Sequence, residues 1–133
     1  ERPRILAKGS DLTLVGVGFS TELALRAREE LLTQGISCEV VDLRILNPLD
    51  SALLVESVRK TGRLLVVDGG WRTCGISAEV LALVSESLSP GELQSCPARV
   101  TLPDAPAPTS RVLEQAYYPS ADSVVSTALK LMG

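Results

Sequence analysis

Residues Gly35 to Asp50 read GISCEVVDLRILNPLD and hold a helix stop, a buried strand, a loop and a new helix start. Gly35 can take the left-handed conformation that ends a helix. Cys38-Glu39-Val40-Val41-Asp42-Leu43 is short, β-branched and mostly apolar, the pattern of a strand in a parallel sheet. Asn47-Pro48-Leu49-Asp50 turns the chain, and Asp50 can cap the helix that follows. The unit is therefore helix–strand–helix, and it contains no obvious catalytic group.

Working outward, the same alternation repeats. Arg4-Ile5-Leu6 predicts a short edge strand, turning through Lys8-Gly9-Ser10-Asp11 into a strand over 12–17. Ser20 or Thr21 can cap the next helix, whose Leu23, Ala24, Ala27 and Leu31 recur at helical spacing. After Asp50 a short helix carries Leu54, Val55 and Val58 inward and stops at Gly62. Arg63 to Asp68 reads as a strand covered on both faces, because it is apolar without alternation. Gly69 to Gly75 reads as a loop, followed by a helix with Ile76, Val80, Leu83, Val84 and Leu88 on one face. Ala98 to Leu102 is a last strand, and Pro103 to Pro108 a stiff extended loop. Ser120-Ala121-Asp122 caps a final helix with Val124, Val125, Ala128 and Met132. Strands alternating with helices imply an α/β fold, a mostly parallel sheet with helices on both faces, and one core.

Composition narrows the chemistry. The 133 residues suit a single domain, 45% hydrophobic and 22% charged, so a packed core is expected. Net charge is −3 and aromatics are 3%, which leaves neither a basic stripe for a phosphate backbone nor stacking surface for bases; nucleic acid is not an expected partner. No apolar run reaches the roughly 18–20 residues of a membrane span, so no membrane contact is expected. The N-terminal Glu1-Arg2-Pro3-Arg4 has no signal-peptide core behind it. A cytoplasmic location is expected, or a mitochondrial or plastid matrix if a targeting segment has been removed. There is no histidine, which excludes Ser-His-Asp and Cys-His catalysis within these residues and histidine-ligated metals. Cys38, Cys74 and Cys96 are odd in number and widely spaced, against a disulfide framework or zinc. They read as small buried hydrophobes, with Cys74 the exception to watch because it precedes a helix N-terminus.

Two constellations could carry function. Gly16-Val17-Gly18 opens like a dinucleotide fingerprint with Asp42 at the next strand end, but Thr21 stands at the third glycine position; a plain βα turn is the competing reading. Asp68-Gly69-Gly70-Trp71 places the only tryptophan beside two glycines, either as a core-edge residue or as a protein–protein anchor. Arg44 and Arg72 could hold an anion or be solvated loop arginines. Glu29-Glu30 and Asp104 sit in ordinary surface contexts.

Read together, several segments resemble the C-terminal domain of transketolase-like thiamine-diphosphate enzymes. The resemblance is nearest to the beta subunit of the 2-oxo acid dehydrogenase decarboxylating component of pyruvate, branched-chain or acetoin type. The segments are Gly9 to Val15, Gly35 to Arg44, Asn47 to Asp50, Lys60 to Val67, Asp68 to Trp71, Ala78-Glu79 and Leu113 to Pro119, spanning nearly the whole chain in order. The resemblance implies a three-layer α/β/α domain of about five strands, the first short and antiparallel. It also implies an excised C-terminal domain over 1–133, inactive alone. No cofactor is expected in this domain, since thiamine diphosphate and magnesium would sit in other domains of the full enzyme. Sister alpha and beta subunits and a lipoyl acyltransferase core are the implied partners. The interface candidates are Asp68, Gly69, Gly70, Trp71, Arg72, Pro106, Pro108 and Thr109, with no catalytic residue assigned. The sequence departs from the family at Asp68-Gly69, where an acidic or histidine residue is common, and at Thr109, where an aromatic is common; the 2-oxo acid stays open. A stand-alone nucleotide-binding α/β domain, and the C-terminal domain of a transketolase or deoxyxylulose-phosphate synthase, are the alternatives.

Overall fold

The computed structural model describes residues 2–133, and Glu1 lies outside them. Five strands form one sheet in the order β1-β3-β2-β4-β5. They are β1 (Arg4–Ala7), β2 (Leu12–Gly16), β3 (Cys38–Asp42), β4 (Leu64–Trp71) and β5 (Ala98–Leu102). β1 runs antiparallel to β3 at the edge, and every other pairing is parallel.

Five helices complete the three layers: α1 (Phe19–Thr33), α2 (Ala52–Thr61), α3 (Ile76–Ser87), α4 (Arg111–Tyr117) and α5 (Ala121–Met132). On one face Ala24, Ala27 and Leu31 of α1 and Val124, Val125 and Ala128 of α5 pack on Leu12, Leu14, Val40, Leu65 and Val67. On the other, Leu54 and Val58 of α2 and Val80 and Val84 of α3 pack on Val15, Val41, Leu64 and Val66. Consecutive residues of the central strands feed opposite cores, so these strands are apolar without alternation. The resemblance implied this α/β/α architecture with its short antiparallel first strand.

The helix ends follow local chemistry. Gly35 (φ 79°) and Gly62 (φ 73°) close α1 and α2 in left-handed geometry. Ser120 accepts the Ser123 N–H and Ser123 reciprocates, a capping box that starts α5. Other expectations need correction. α1 starts at Phe19 with Gly18 as its cap, so Ser20 and Thr21 lie inside the helix and cap nothing. Ser51 occupies the cap position of α2, while Asp50 Oδ1 accepts the Ala52 N–H at 3.2 Å. Leu83 is only half-buried and lies outside both cores. Cys38 alone is a buried cysteine, its thiol pushed up to about 12 chiefly by burial; Cys74 and Cys96 are exposed.

One buried polar cluster joins β2, β3 and α2. Thr13 Oγ1 bonds Ser57 Oγ at 2.9 Å and Thr61 Oγ1 at 2.7 Å, and the buried Glu39 carboxylate pairs with Lys60. Burial opposes ionisation of Glu39, but hydrogen bonds from Lys60, Ser57 and the Gly9 N–H outweigh it and hold the carboxyl below its usual range.

Candidate functional site

In an open parallel sheet, ligand and partner chemistry gathers at the carboxyl ends of the strands, where the strand order reverses. Here that is the crevice between β2 and β4. The sequence reading ends β4 at Asp68 and makes Gly69 to Gly75 a loop. The structure instead carries the strand through Gly69 and Gly70 to Trp71, which registers with Leu102 of β5. The Arg72 N–H donates to the Leu102 carbonyl at 3.2 Å, so pairing with β5 supplies what the two glycines lack in strand propensity.

Asp68 is buried, and both its oxygens are engaged: Oδ1 accepts the Gly70 N–H at 2.8 Å and Oδ2 the Ser77 N–H at 3.0 Å. The second bond satisfies a free amide of the first turn of α3 and places a negative charge at that helix N-terminus. Asp68 is thus a positioning residue for the loop that follows. Gly69 lies under the Phe19 ring, and a Cβ there would come within 2.4 Å of Phe19 Cε1. Gly75 meets the Trp71 carbonyl, with a Cβ only 2.2 Å from that oxygen.

Trp71 itself is 57% exposed. Its Nε1 donates to the Tyr117 hydroxyl at 3.2 Å, and that hydroxyl donates to the Ala105 carbonyl at 2.7 Å. One indole is thereby tied to α4 and to the proline loop. Asp104 fastens the other side, accepting the Thr73 N–H at 3.1 Å and the Thr73 hydroxyl at 2.6 Å. The Thr73 bonds, and to a lesser degree the Arg72 and Arg99 charges, hold the Asp104 carboxyl below its usual range. Trp71, Thr73, Asp104, Ala105 and Pro106 line an open concavity of about 410 Å³. A second, of about 270 Å³, adjoins it between Pro106, Pro108, Leu113 and Tyr117. Leu113 (57% exposed) brings α4 into this surface, and its neighbour Val112 is 77% exposed.

Among the sequence candidates, Trp71, Pro106 and Pro108 share this surface. Arg72 and Thr109 are exposed beside it in the chain, and Gly69 and Gly70 are half-buried. Asp104 falls within the Pro103–Thr109 loop that the sequence pointed to, whereas Leu113 and Tyr117 were not among the interface candidates. The Ser110 cap and the apolar Val112, Leu113, Ala116 and Tyr117 were the available signal for α4, but seven residues give little periodicity.

The dinucleotide-like turn is occupied from within. A Cβ on Gly16 would lie 2.6 Å from Thr21 Cα, so Gly16 supplies the close helix–strand contact that a third glycine otherwise provides. Asp42 Oδ1 accepts from the Thr21 hydroxyl at 3.4 Å and from the Arg44 N–H at 3.2 Å. Among the described residues no group of three or more His, Cys, Asp or Glu could hold a metal ion.

Comparison with known proteins agrees with this geometry. The family model for the transketolase C-terminal domain matches residues 2–124. The mitochondrial pyruvate dehydrogenase E1 component subunit beta of Ascaris suum is 39% identical over 97% of this chain and 36% of its own length. The acetoin:2,6-dichlorophenolindophenol oxidoreductase subunit beta of Bacillus subtilis is 39% identical over 97% of this chain and 37% of its own length. A solved structure described as a split-gene transketolase, inactive beta4 tetramer, superposes with a TM-score of 0.85 at 32% identity, covering 98% of this chain and 42% of that one. The chain thus spans a little over a third of the curated relatives it matches. It belongs to the transketolase C-terminal domain family.

Proposed function

We propose that this chain is the C-terminal assembly and interaction domain of the beta subunit of a thiamine-diphosphate-dependent 2-oxo acid dehydrogenase, performing no chemistry by itself. The observation that carries the reading is Trp71, an indole hydrogen-bonded to Tyr117 yet more than half exposed, beside adjoining apolar surface at Pro106, Pro108 and Leu113. Contiguous exposed apolar surface of this kind marks interaction sites, and tryptophan dominates interface centres. The names of the relatives favour the dehydrogenase branch over transketolase or deoxyxylulose-phosphate synthase. The beta4 tetramer described for the split-gene transketolase supports association among sister subunits.

In this reading the chain is one domain of a longer subunit. The Trp71 surface and the Pro103–Thr109 loop meet sister alpha and beta subunits, and the assembled enzyme faces a lipoyl acyltransferase core. Thiamine diphosphate and magnesium belong to other domains. The residues here do not fit them: Asp42 and Asp68, the acids at the strand ends, are both engaged within the fold. The same engagement of Asp42, with Thr21 seated on Gly16, weighs against the nucleotide-binding alternative. The location is the cytoplasm of a bacterium or the matrix of an organelle; relatives include mitochondrial and bacterial proteins. No helix among the described residues is long and apolar enough to cross a membrane.

Calorimetric titration separates the readings. The chain should be silent toward both NAD and thiamine diphosphate with magnesium. The beta subunit paired with its alpha partner should decarboxylate a 2-oxo acid and reduce an artificial acceptor. Stoichiometric NAD binding by the chain, or turnover by the chain alone, would sink the proposal.

A further inference from the structure

Beside the Trp71 corner a separate concavity of about 340 Å³ opens between β5, the end of α4 and the start of α5. Its polar lining comes from Arg72, Arg99, Thr101, Tyr118, Ser123 and Thr127, and no acidic residue lines it. Among the described residues neither guanidinium takes part in an ion pair. Arg99 Nη1 donates to the Arg72 carbonyl at 2.8 Å, which fixes one guanidinium against the backbone that carries the other. The Tyr118 hydroxyl has no hydrogen-bond partner among the described residues, while its ring is held at 4.9 Å from that of Tyr117, edge to face. Asp104 is close enough to act on both arginine charges, but each of its oxygens accepts from Thr73.

Two cations facing one concavity are out of keeping with a chain whose net charge is −3. Arginine forks match the paired oxygens of carboxylate and phosphate, and such charge-assisted bonds are the strong ones. A pocket walled partly by aromatic and proline residues has low dielectric on one side, which strengthens attraction for an anion further. We propose that this pocket is an oxyanion site, binding the phosphoryl or carboxylate group of a small metabolite between Arg72 and Arg99. The inference goes beyond the assembly reading: Arg99 lies outside the Trp71 surface, while Arg72 borders it.

The test is isothermal titration of the full protein with inorganic phosphate and, separately, with succinate at low ionic strength. Thiamine diphosphate and magnesium are left out, since the diphosphate would itself compete for an oxyanion site and magnesium complexes phosphate; binding at a cofactor site elsewhere in the subunit would be insensitive to both arginines. One saturable site per chain is expected. Arg99→Gln and Arg72→Gln should each weaken it roughly tenfold, the loss of one charge-assisted contact, while Lys130→Gln leaves it unchanged. A preference for phosphate assigns a phosphoryl ligand, and a preference for succinate a carboxylate. If Arg99→Gln does not fold, Arg99→Lys keeps the charge but loses the fork, and binding should still fall several-fold. No saturable binding of either anion, or unchanged affinity in a folded Arg72→Gln/Arg99→Gln double variant, overturns the proposal.

Discussion

The exits of β3 and β4 begin alike and end differently. At each, an aspartate turns its Oδ1 onto the backbone N–H two residues on: Asp42 to Arg44 at 3.2 Å and Asp68 to Gly70 at 2.8 Å. Each exit also includes a non-glycine residue with positive φ, Arg44 at 62° and Cys74 at 59°. Asp42 spends its remaining contact on Thr21 of the neighbouring helix, and the chain leaves the sheet at once toward α2. Asp68 is buried, reaches the start of α3, and is followed by two glycines that let the strand continue to an exposed tryptophan. One exit closes the fold upon itself. The other uses its hydrogen bonds to present an apolar surface outward, as the proposed assembly role requires.

The sharpest break in that comparison is expected at the glycines. Gly75 has an ordinary φ of −81° but no room, because a Cβ would meet the Trp71 carbonyl at 2.2 Å. Gly35, at the entry to β3 rather than its exit, has room, with nothing within 4 Å of its Cβ, but a φ of 79°. Gly75→Ala should therefore cost roughly 3 kcal/mol or more through overpacking. Gly35→Ala should cost only about 1 kcal/mol of left-handed strain. Urea denaturation measures both, and equal losses would contradict the geometry of the β4 exit.

Next come the aspartates. Asp68→Ala leaves two amides without their acceptor, one at a helix start, and should cost about 2–3 kcal/mol. Asp42→Ala, at a half-buried site with longer bonds, should cost about 1 kcal/mol. If Asp42→Ala proves the worse of the two, the roles assigned to the exits are reversed.

The smallest difference concerns pH. Glu39 of β3 and Asp104 beside the corner both have folded-state values below the usual carboxylate range. Each therefore contributes stability that is complete at neutral pH and declines as pH falls through its folded-state value. Glu39 is buried and Asp104 is exposed, so acid should weaken the fold mainly through Glu39. Glu39→Gln should flatten the acid limb of the stability–pH profile, whereas Asp104→Asn should leave it nearly unchanged.

How far each exit was legible follows from its range of interaction. Gly35 to Asp50 states its structure locally, through a left-handed glycine, an apolar run and a proline turn, and these hold with shifts of a residue or two. The continuation of β4 depends on Leu102, some thirty residues away, and two glycines hide it from any local reading. Trp71 stood out as the only tryptophan, but Tyr117 and the Ala105 carbonyl, which orient it, are visible only in three dimensions. The cysteines show the same limit: Cys38 lies in an apolar run and is buried, whereas Cys74 and Cys96 lie in loops whose exposure tertiary packing sets.

The central claim, that the β4 exit exists to present an assembly surface, is tested most directly by sedimentation equilibrium of the full protein and its Trp71→Ala variant. The account predicts that the variant keeps its circular dichroism and thermal midpoint, because the indole is mostly exposed. Its subunit association should weaken by about 2 kcal/mol or more, some thirtyfold. A folded Trp71→Ala protein that assembles as tightly as the parent would contradict it.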